Sequence, residues 1–366
     1  MPDRIGVGII GANVNYGWGT RAHLPALQAL PEFDLVGVAT TQMATARETA
    51  DRYGIANAFD DAAALAAHPE VDLVVVCVRV PGHYALVKTA LEAGKHVFCE
   101  WPLGANTAEA AELRDLATAR GVRNTVGLQA RGAPAFIRLR ELVRDGYIGD
   151  VLSADMYSAL PGAGPRRESF AWAVDRAKGA STLSIASGHS LDALAFCLGE
   201  FAEVSAVVST RVQRVPLEGS DQMLDVTAPD HVLLSGMLEG GALVSAAIKS
   251  VPAVGTGFRF EVQGSEGTLR VTSSGGAQMG DLVLEGAKRG ERALEAIPLE
   301  VTDRWVPETL NGPPLNVAQL FRRLGNAING GGPAHPDFDH AVRRHRFLDA
   351  LEEASASGQR VRVDLG

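Results

Sequence analysis

The sequence predicts two domains. Residues 1–128 form an α/β domain on a doubly wound parallel sheet, and residues 129–366 form an α+β domain with a large, mostly antiparallel, open sheet. Three observations lead there. Apolar strand-like runs alternate with helical patterns through the first third of the chain. After that the helical patterns thin out, and several strand-like runs alternate apolar and polar residues, as in a sheet with one covered face. At 366 residues the chain is long enough for two cores.

Residues 4–10 read as a buried strand. A glycine-rich turn follows, with Gly11, Gly17 and Gly19, and with Asn13 where a second glycine commonly stands. A helical pattern on Leu24, Leu27 and Leu30 comes next, closed by Pro31. The alternation continues with strand 34–40, helix 44–53 ended by Gly54, strand 56–59 and helix 60–67. Residues 72–78 are apolar throughout, as in a strand covered on both faces. Helix 82–93, strand 95–100, helix 106–119 and strand 122–127 complete the domain.

Strand–helix alternation at this interval implies right-handed crossovers. A glycine turn between the first strand and its helix is where backbone N–H groups approach a pyrophosphate. The domain is therefore read as a Rossmann dinucleotide-binding domain, with Gly11, Asn13, Tyr16, Gly17 and Trp18 cradling the phosphates. At the end of the second strand, Thr40 begins Thr40-Thr41-Gln42, where a ribose-binding acid commonly stands. Without that acid nothing repels a 2′-phosphate, which favours NADP while leaving NAD open.

Beyond residue 128, helix 133–145 precedes strands at 151–157, 204–214, 231–238, 242–250, 258–263 and 268–272. Helix 188–198 interrupts them, and helices 315–329 and 338–357 and a strand at 360–363 close the chain. The long stretches 161–180 and 273–312 read as loops beside a sheet, where binding segments concentrate.

A net charge of −9 argues against a nucleic-acid surface. The densest basic stretches, Arg138-Leu139-Arg140 and Arg343-Arg344-His345-Arg346, lie in helical patterns and read as solvated faces. Cys77, Cys99 and Cys197 sit in separate apolar runs and read as buried thiols in a reducing compartment. No leader pattern or membrane-length apolar stretch stands out, so a cytoplasmic location is expected. No Cys/His spacing suggests a metal, and no nucleophile elbow stands out.

The stretch Ala90-Leu91-Glu92-Ala93-Gly94-Lys95-His96-Val97-Phe98-Cys99-Glu100-Trp101-Pro102-Leu103, preceded by Pro81 and His83, resembles the A-L-E-A-G-K-H-V-x-x-E-K-P-L motif of the Gfo/Idh/MocA oxidoreductases. Phe260–Leu269 is similar to their G-x-x-G-x-L turn. The resemblance implies an NAD(P)-dependent oxidoreductase acting on a sugar, polyol or related hydroxyl or carbonyl compound. It also implies a homodimer or homotetramer formed through the open sheet. By the same resemblance His189 is the general acid/base, Glu100 and Trp101 lie at the nicotinamide end, and His83 is either a cofactor contact or a helix cap. Trp101, Tyr157 and Lys178 are candidate substrate contacts, with Arg166 and Trp172 in the same reach. The chain departs from the pattern twice. Trp101 stands at the motif lysine and Ile185 at the motif aspartate. An indole donates one hydrogen bond and carries no charge, and isoleucine offers no polar atom. The Glu-Trp pair and the stretched turn resemble a sub-branch that includes the fungal galactose-pathway repressor. Two alternatives to a dehydrogenase therefore stay open: a cofactor-bound regulator, and a redox-neutral lyase or hydrolase with tightly held NAD(P).

Overall fold

A computed structural model of the chain describes residues 4–15, 17–279 and 281–366. It divides into two compact units, Met1–Gly132 with Trp305–Val342, and Ala133–Arg304 with Arg343–Gly366.

The first unit holds six strands: β1 (Ile5–Ile10), β2 (Phe33–Ala39), β3 (Asn57–Phe59), β4 (Leu73–Val76), β5 (His96–Glu100) and β6 (Asn124–Gly127). They pair in the order β3-β2-β1-β4-β5-β6, every pair parallel. This order reverses direction between β1 and β4, the crevice where doubly wound sheets bind nucleotides. The continuous apolar strands follow from cover on both faces. Val7, Ile9, Leu73, Val75 and Phe98 are all buried in one cluster. Gly54 and Gly121 end their helices in the left-handed conformation, as the sequence anticipates. The helical pattern after the glycine turn differs in detail: it opens as a π-helical segment, Gly19–His23, and becomes α-helical over Leu24–Gln28.

The same core contains Val306, Leu315, Val317, Leu320, Phe321 and Leu324. A single cut at residue 128 therefore misses a return of the chain: helix Gly312–Ile328 supplies the first unit with Phe321, which packs on Phe33 and Phe98. The helix is amphipathic, and its apolar face carries no mark of which domain it will cover.

The second unit is built on a nine-stranded sheet. Its strands are β7 (Val151–Pro161), β8 (Phe201–Ser209), β11 (His231–Leu238), β12 (Leu243–Val251), β13 (Gly257–Gly264), β14 (Gly267–Ser273), β15 (Val283–Lys288), β16 (Glu295–Ala296) and β17 (Val361–Arg362). A separate ribbon pairs β9 (Arg214–Pro216) with β10 (Met223–Asp225). All pairs are antiparallel except β7 with β12. One face is apolar and buried through Ala154, Met156, Ile248, Phe258, Phe260, Val262, Leu269 and Val271. The alternating residues of the other face, including Val207, Leu233 and Leu243, are exposed. Strands β15 and β16 fall where the sequence reads as loop.

Residues 343–346 are not a solvated face. Arg344 is 1 % exposed and lies between Asp192 (3.4 Å) and Glu200 (3.0 Å) of its own unit. His345 is buried beside it. Two carboxylates on other elements turn a basic stretch inward, which no local pattern signals. The three cysteines are free and buried, as expected. Among the described residues no helix is long and apolar enough to cross a membrane.

Candidate functional site

The glycine turn in the first unit is shaped by close backbone approaches. Gly11 has φ +96°, and a Cβ there would meet the Cys77 carbonyl oxygen at 2.7 Å. A Cβ on Gly19 would meet Ala12 Cα and Cys77 Sγ, each at 2.8 Å. Only glycine lets the helix start this close to β1 and β4. Asn13 accepts the Asn15 N–H at 2.9 Å through Oδ1, and the Thr49 hydroxyl takes the Val14 N–H at 3.1 Å. Gly17 has φ +113° with nothing nearer its Cβ position than the Gly11 oxygen at 3.9 Å. The Arg21 guanidinium lies over the Trp18 ring at 5.8 Å, and the buried Trp18 Nε1 has no acceptor among the described residues. The geometry fits a bound dinucleotide: a close-packed turn at the switch point, a cation beside it and an indole N–H without a partner. Tyr16, assigned to the same cradle, lies outside the described residues.

At the end of β5, Glu100 takes hydrogen bonds on both oxygens, from His23 Nε2 at 2.7 Å and from Gln129 Nε2 at 2.6 Å. His23 is fully buried, edge-on to Phe98 and Phe321 at 5.1 and 5.5 Å. This triad meets the requirement that a buried carboxylate be partnered. It joins three elements that the sequence separates widely. Trp101 follows, 4 % exposed, and its peptide bond to Pro102 is cis.

His83 is 1 % exposed, with Nδ1 2.6 Å from the Pro102 oxygen and Nε2 3.1 Å from the Val78 oxygen. Burial lowers its pKa, against the opposing pull of those carbonyls and of Glu100. The ring braces the loop after β4 against the Trp101–Pro102 turn, with neither nitrogen open to a ligand. The Thr40 hydroxyl donates within its own turn, to the Gln42 oxygen at 2.8 Å, and lies 2.6 Å from the Thr45 hydroxyl. No carboxylate stands there.

In the second unit His189 is 5 % exposed, in the first turn of helix Gly188–Leu198. The segment before it, Thr182–Ser187, is π-helical and starts with a reciprocal Ser181–Ser184 capping box. Ile185 sits one turn ahead of His189 and lines a cavity of about 210 Å³. Two substrate candidates do not line this cavity. Tyr157 pairs with Ala247 and points to the sheet face opposite the one that carries Ser250, a cavity residue; Lys249 lies over its ring at 5.1 Å. Lys178 is exposed on the short turn Arg176–Lys178 and does not line the cavity. Side-chain direction in a strand depends on register, and the register of β7 follows from distant partners. Arg166 does line the cavity.

One cluster escapes sequence spacing. His335, Asp337 and His340 each bring a ligand atom within 4.8 Å of the others. Asp337 Oδ1 takes the His340 backbone N–H at 3.1 Å and lies 2.9 Å from His340 Nδ1, ahead of helix Phe338–Ser357, so the carboxylate caps that helix.

Residues 5–128 match the family model described as "Oxidoreductase family, NAD-binding Rossmann fold", and residues 134–273 match that of the Gal80p C-terminal domain. A dehydrogenase of Aspergillus oryzae, aclE, is 29 % identical over 98 % of both chains. The galactose/lactose metabolism regulatory protein of Kluyveromyces lactis is 28 % identical over 78 % of this chain and 68 % of its own. A levoglucosan dehydrogenase, solved with NADH and levoglucosan, superposes with a TM-score of 0.86 over the whole of both chains at 23 % identity.

Proposed function

Because the chain joins an NAD-binding domain of the Gfo/Idh/MocA oxidoreductase family to a Gal80p-type C-terminal domain, we propose that it is an NAD(P)-dependent oxidoreductase acting on a small hydroxyl or carbonyl compound. The observation that carries this is the turn at the switch point. Gly11 and Gly19 are packed so closely that a side chain has no room, which is what a phosphate cradle requires and what a plain βα turn does not. Gly11, Asn13, Gly17 and Trp18 hold the pyrophosphate, and Arg21 adds positive charge at its edge. Glu100, fixed by His23 and Gln129, orients the end of β5 where Trp101 forms a flat apolar wall. The nicotinamide, when bound, supplies the hydride chemistry.

His189 moves the proton in this reading. Oxidation of an alcohol releases its hydroxyl proton as the carbonyl forms, and an imidazole has a pKa suited to accept it near neutrality. With Trp101 and Ile185 in place of a lysine and an aspartate, His189 is the one of those three motif positions that keeps its residue. Its replacement by asparagine is expected to lower kcat at least about 100-fold with the NADH affinity unchanged. Stopped reaction profiles with NAD⁺ and NADP⁺ and a panel of alcohols check this. Absence of cofactor binding by either nucleotide rules the reading out. The exposed sheet face with Val207, Leu233 and Leu243 is the surface through which two copies pair, testable by sedimentation.

A second reading has its own support. Loss of both polar motif positions, at Trp101 and Ile185, together with the Gal80p-type domain, favours a regulator that binds the nucleotide without turning it over. Tight NADH binding with no product by mass from any alcohol or ketone would select it.

A further inference from the structure

The cavity in the second unit has a chemical character of its own. Its volume is about 210 Å³, against about 150 Å³ for an apolar cavity that admits benzene. Ile185, Ala186, Val212 and Val226 supply an apolar wall. The polar groups around it are almost all engaged within the protein. The Ser181 and Ser184 hydroxyls face each other at 3.2 Å, and each accepts the other residue's backbone N–H. The Thr182 and Ser250 hydroxyls share a hydrogen bond of 2.7 Å. Asp230 takes the Arg211 and Val212 N–H groups at 2.8 and 2.7 Å, and its Oδ1 lies 2.8 Å from His231 Nδ1.

Arg166 is the exception. It is half-buried at the cavity, donates from Nη2 to the Gly162 oxygen, and pairs with no carboxylate among the described residues. Its Nε is buried without an acceptor. Burial lowers its pKa and no opposing charge offsets this, as expected of a guanidinium lacking a counter-ion.

We infer that this cavity binds a small organic carboxylate with an apolar body, its ring or branched chain against Ile185 and the valines and its carboxylate at Arg166. A polyol is the wrong ligand here. Each hydroxyl brought into the cavity would find few free partners, and a stranded hydroxyl costs about tenfold in affinity. An arginine fork suits a planar carboxylate in two-point contact. Only the claim that such an acid is also the reacting substrate rests on the function proposed above; the binding claim stands on the cavity itself.

The test uses the full chain and calorimetric titration with benzoate, cyclohexanecarboxylate, cyclohexanol and myo-inositol, each with and without NADH. The carboxylates are expected to bind at least about tenfold more tightly than cyclohexanol, and inositol not at all. R166Q should weaken the carboxylates about tenfold while leaving the NADH affinity and Tm in place, and I185D should weaken them further by adding a like charge. Equal binding of inositol, or carboxylate affinity untouched by R166Q, overturns the inference. If NADH binds, the carboxylates do not, and only polyols are oxidised, the inference fails and the oxidoreductase reading survives. If benzoate binds through Arg166 and no hydroxy acid such as mandelate is oxidised, the cavity assignment survives and the oxidoreductase reading fails for this substrate class.

Discussion

The turn after β1 and the segment Ser181–His189 both lead a chain into a helix, and they do it with opposite chemistry. The first works through the backbone: Gly11 and Gly19 let β1, β4 and the helix approach within a distance that no side chain tolerates. The second works through side chains. Ser181 and Ser184 cap each other, Thr182 binds Ser250, and Ile185 faces a cavity. A turn made of backbone tolerates drift in its side chains, and Asn13 closes this one by accepting the Asn15 N–H. A cavity lined by side chains changes its chemistry with each replacement, and Ile185 gives this one an apolar wall where an acid would bring charge.

The largest expected effect breaks the second region. Arg344 pairs with Asp192, in the same helix as His189, and with Glu200, just past the end of that helix. R344M removes the cation that a buried and a half-buried carboxylate share and is expected to cost about 4 kcal/mol, seen as a lowered denaturation midpoint in urea with NADH affinity per folded molecule preserved. The next breaks the first region. G19V drives a branched side chain into Ala12 and Cys77 and should cost about 3 kcal/mol and abolish NADH binding. G17A is its control: space is open there, so the cost is about 1 kcal/mol, from the positive φ alone.

An effect smaller than those of R344M and G19V sharpens the contrast through pH. Burial lowers the pKa of His345 from 6.5 to about 4. The folded state therefore holds fewer protons than the unfolded state between these values, so stability rises with pH across that window and falls on acidification. The loss between pH 7 and pH 5 is about 2 kcal/mol from this one residue. H345Q should flatten that slope in urea titrations at the two pH values. A slope unchanged in H345Q would place the acid sensitivity elsewhere.

Much of the first unit was legible because its signals are local. Apolar runs of fixed length, Gly54 and Gly121 at helix ends and the glycine turn each act within a few residues. The partner of Glu100 was legible only as a need: a buried carboxylate at a strand end calls for one, but nothing in the sequence points to His23 and Gln129. In the second unit the reading of Arg343–Arg346 as a solvated face failed because its counter-charges sit on other elements. Tyr157 and Lys178 are candidates by position along the chain, and strand register and loop path leave both off the lining of the cavity at Ile185.

By itself the sequence determined the two-domain order, the alternating strands and helices, the cofactor turn and the two departures at Trp101 and Ile185. These depend on periodicity, on backbone freedom at glycine and on which atoms a side chain carries. The tertiary structure decided the return of Gly312–Ile328 to the first core, the sheet order β3-β2-β1-β4-β5-β6, the inward turn of Arg344 and the isolation of Arg166 at its cavity. Each of these is a pairing between residues far apart in the chain. Apolar faces and charges state only that a partner is needed, and which partner meets them is settled when the whole chain packs.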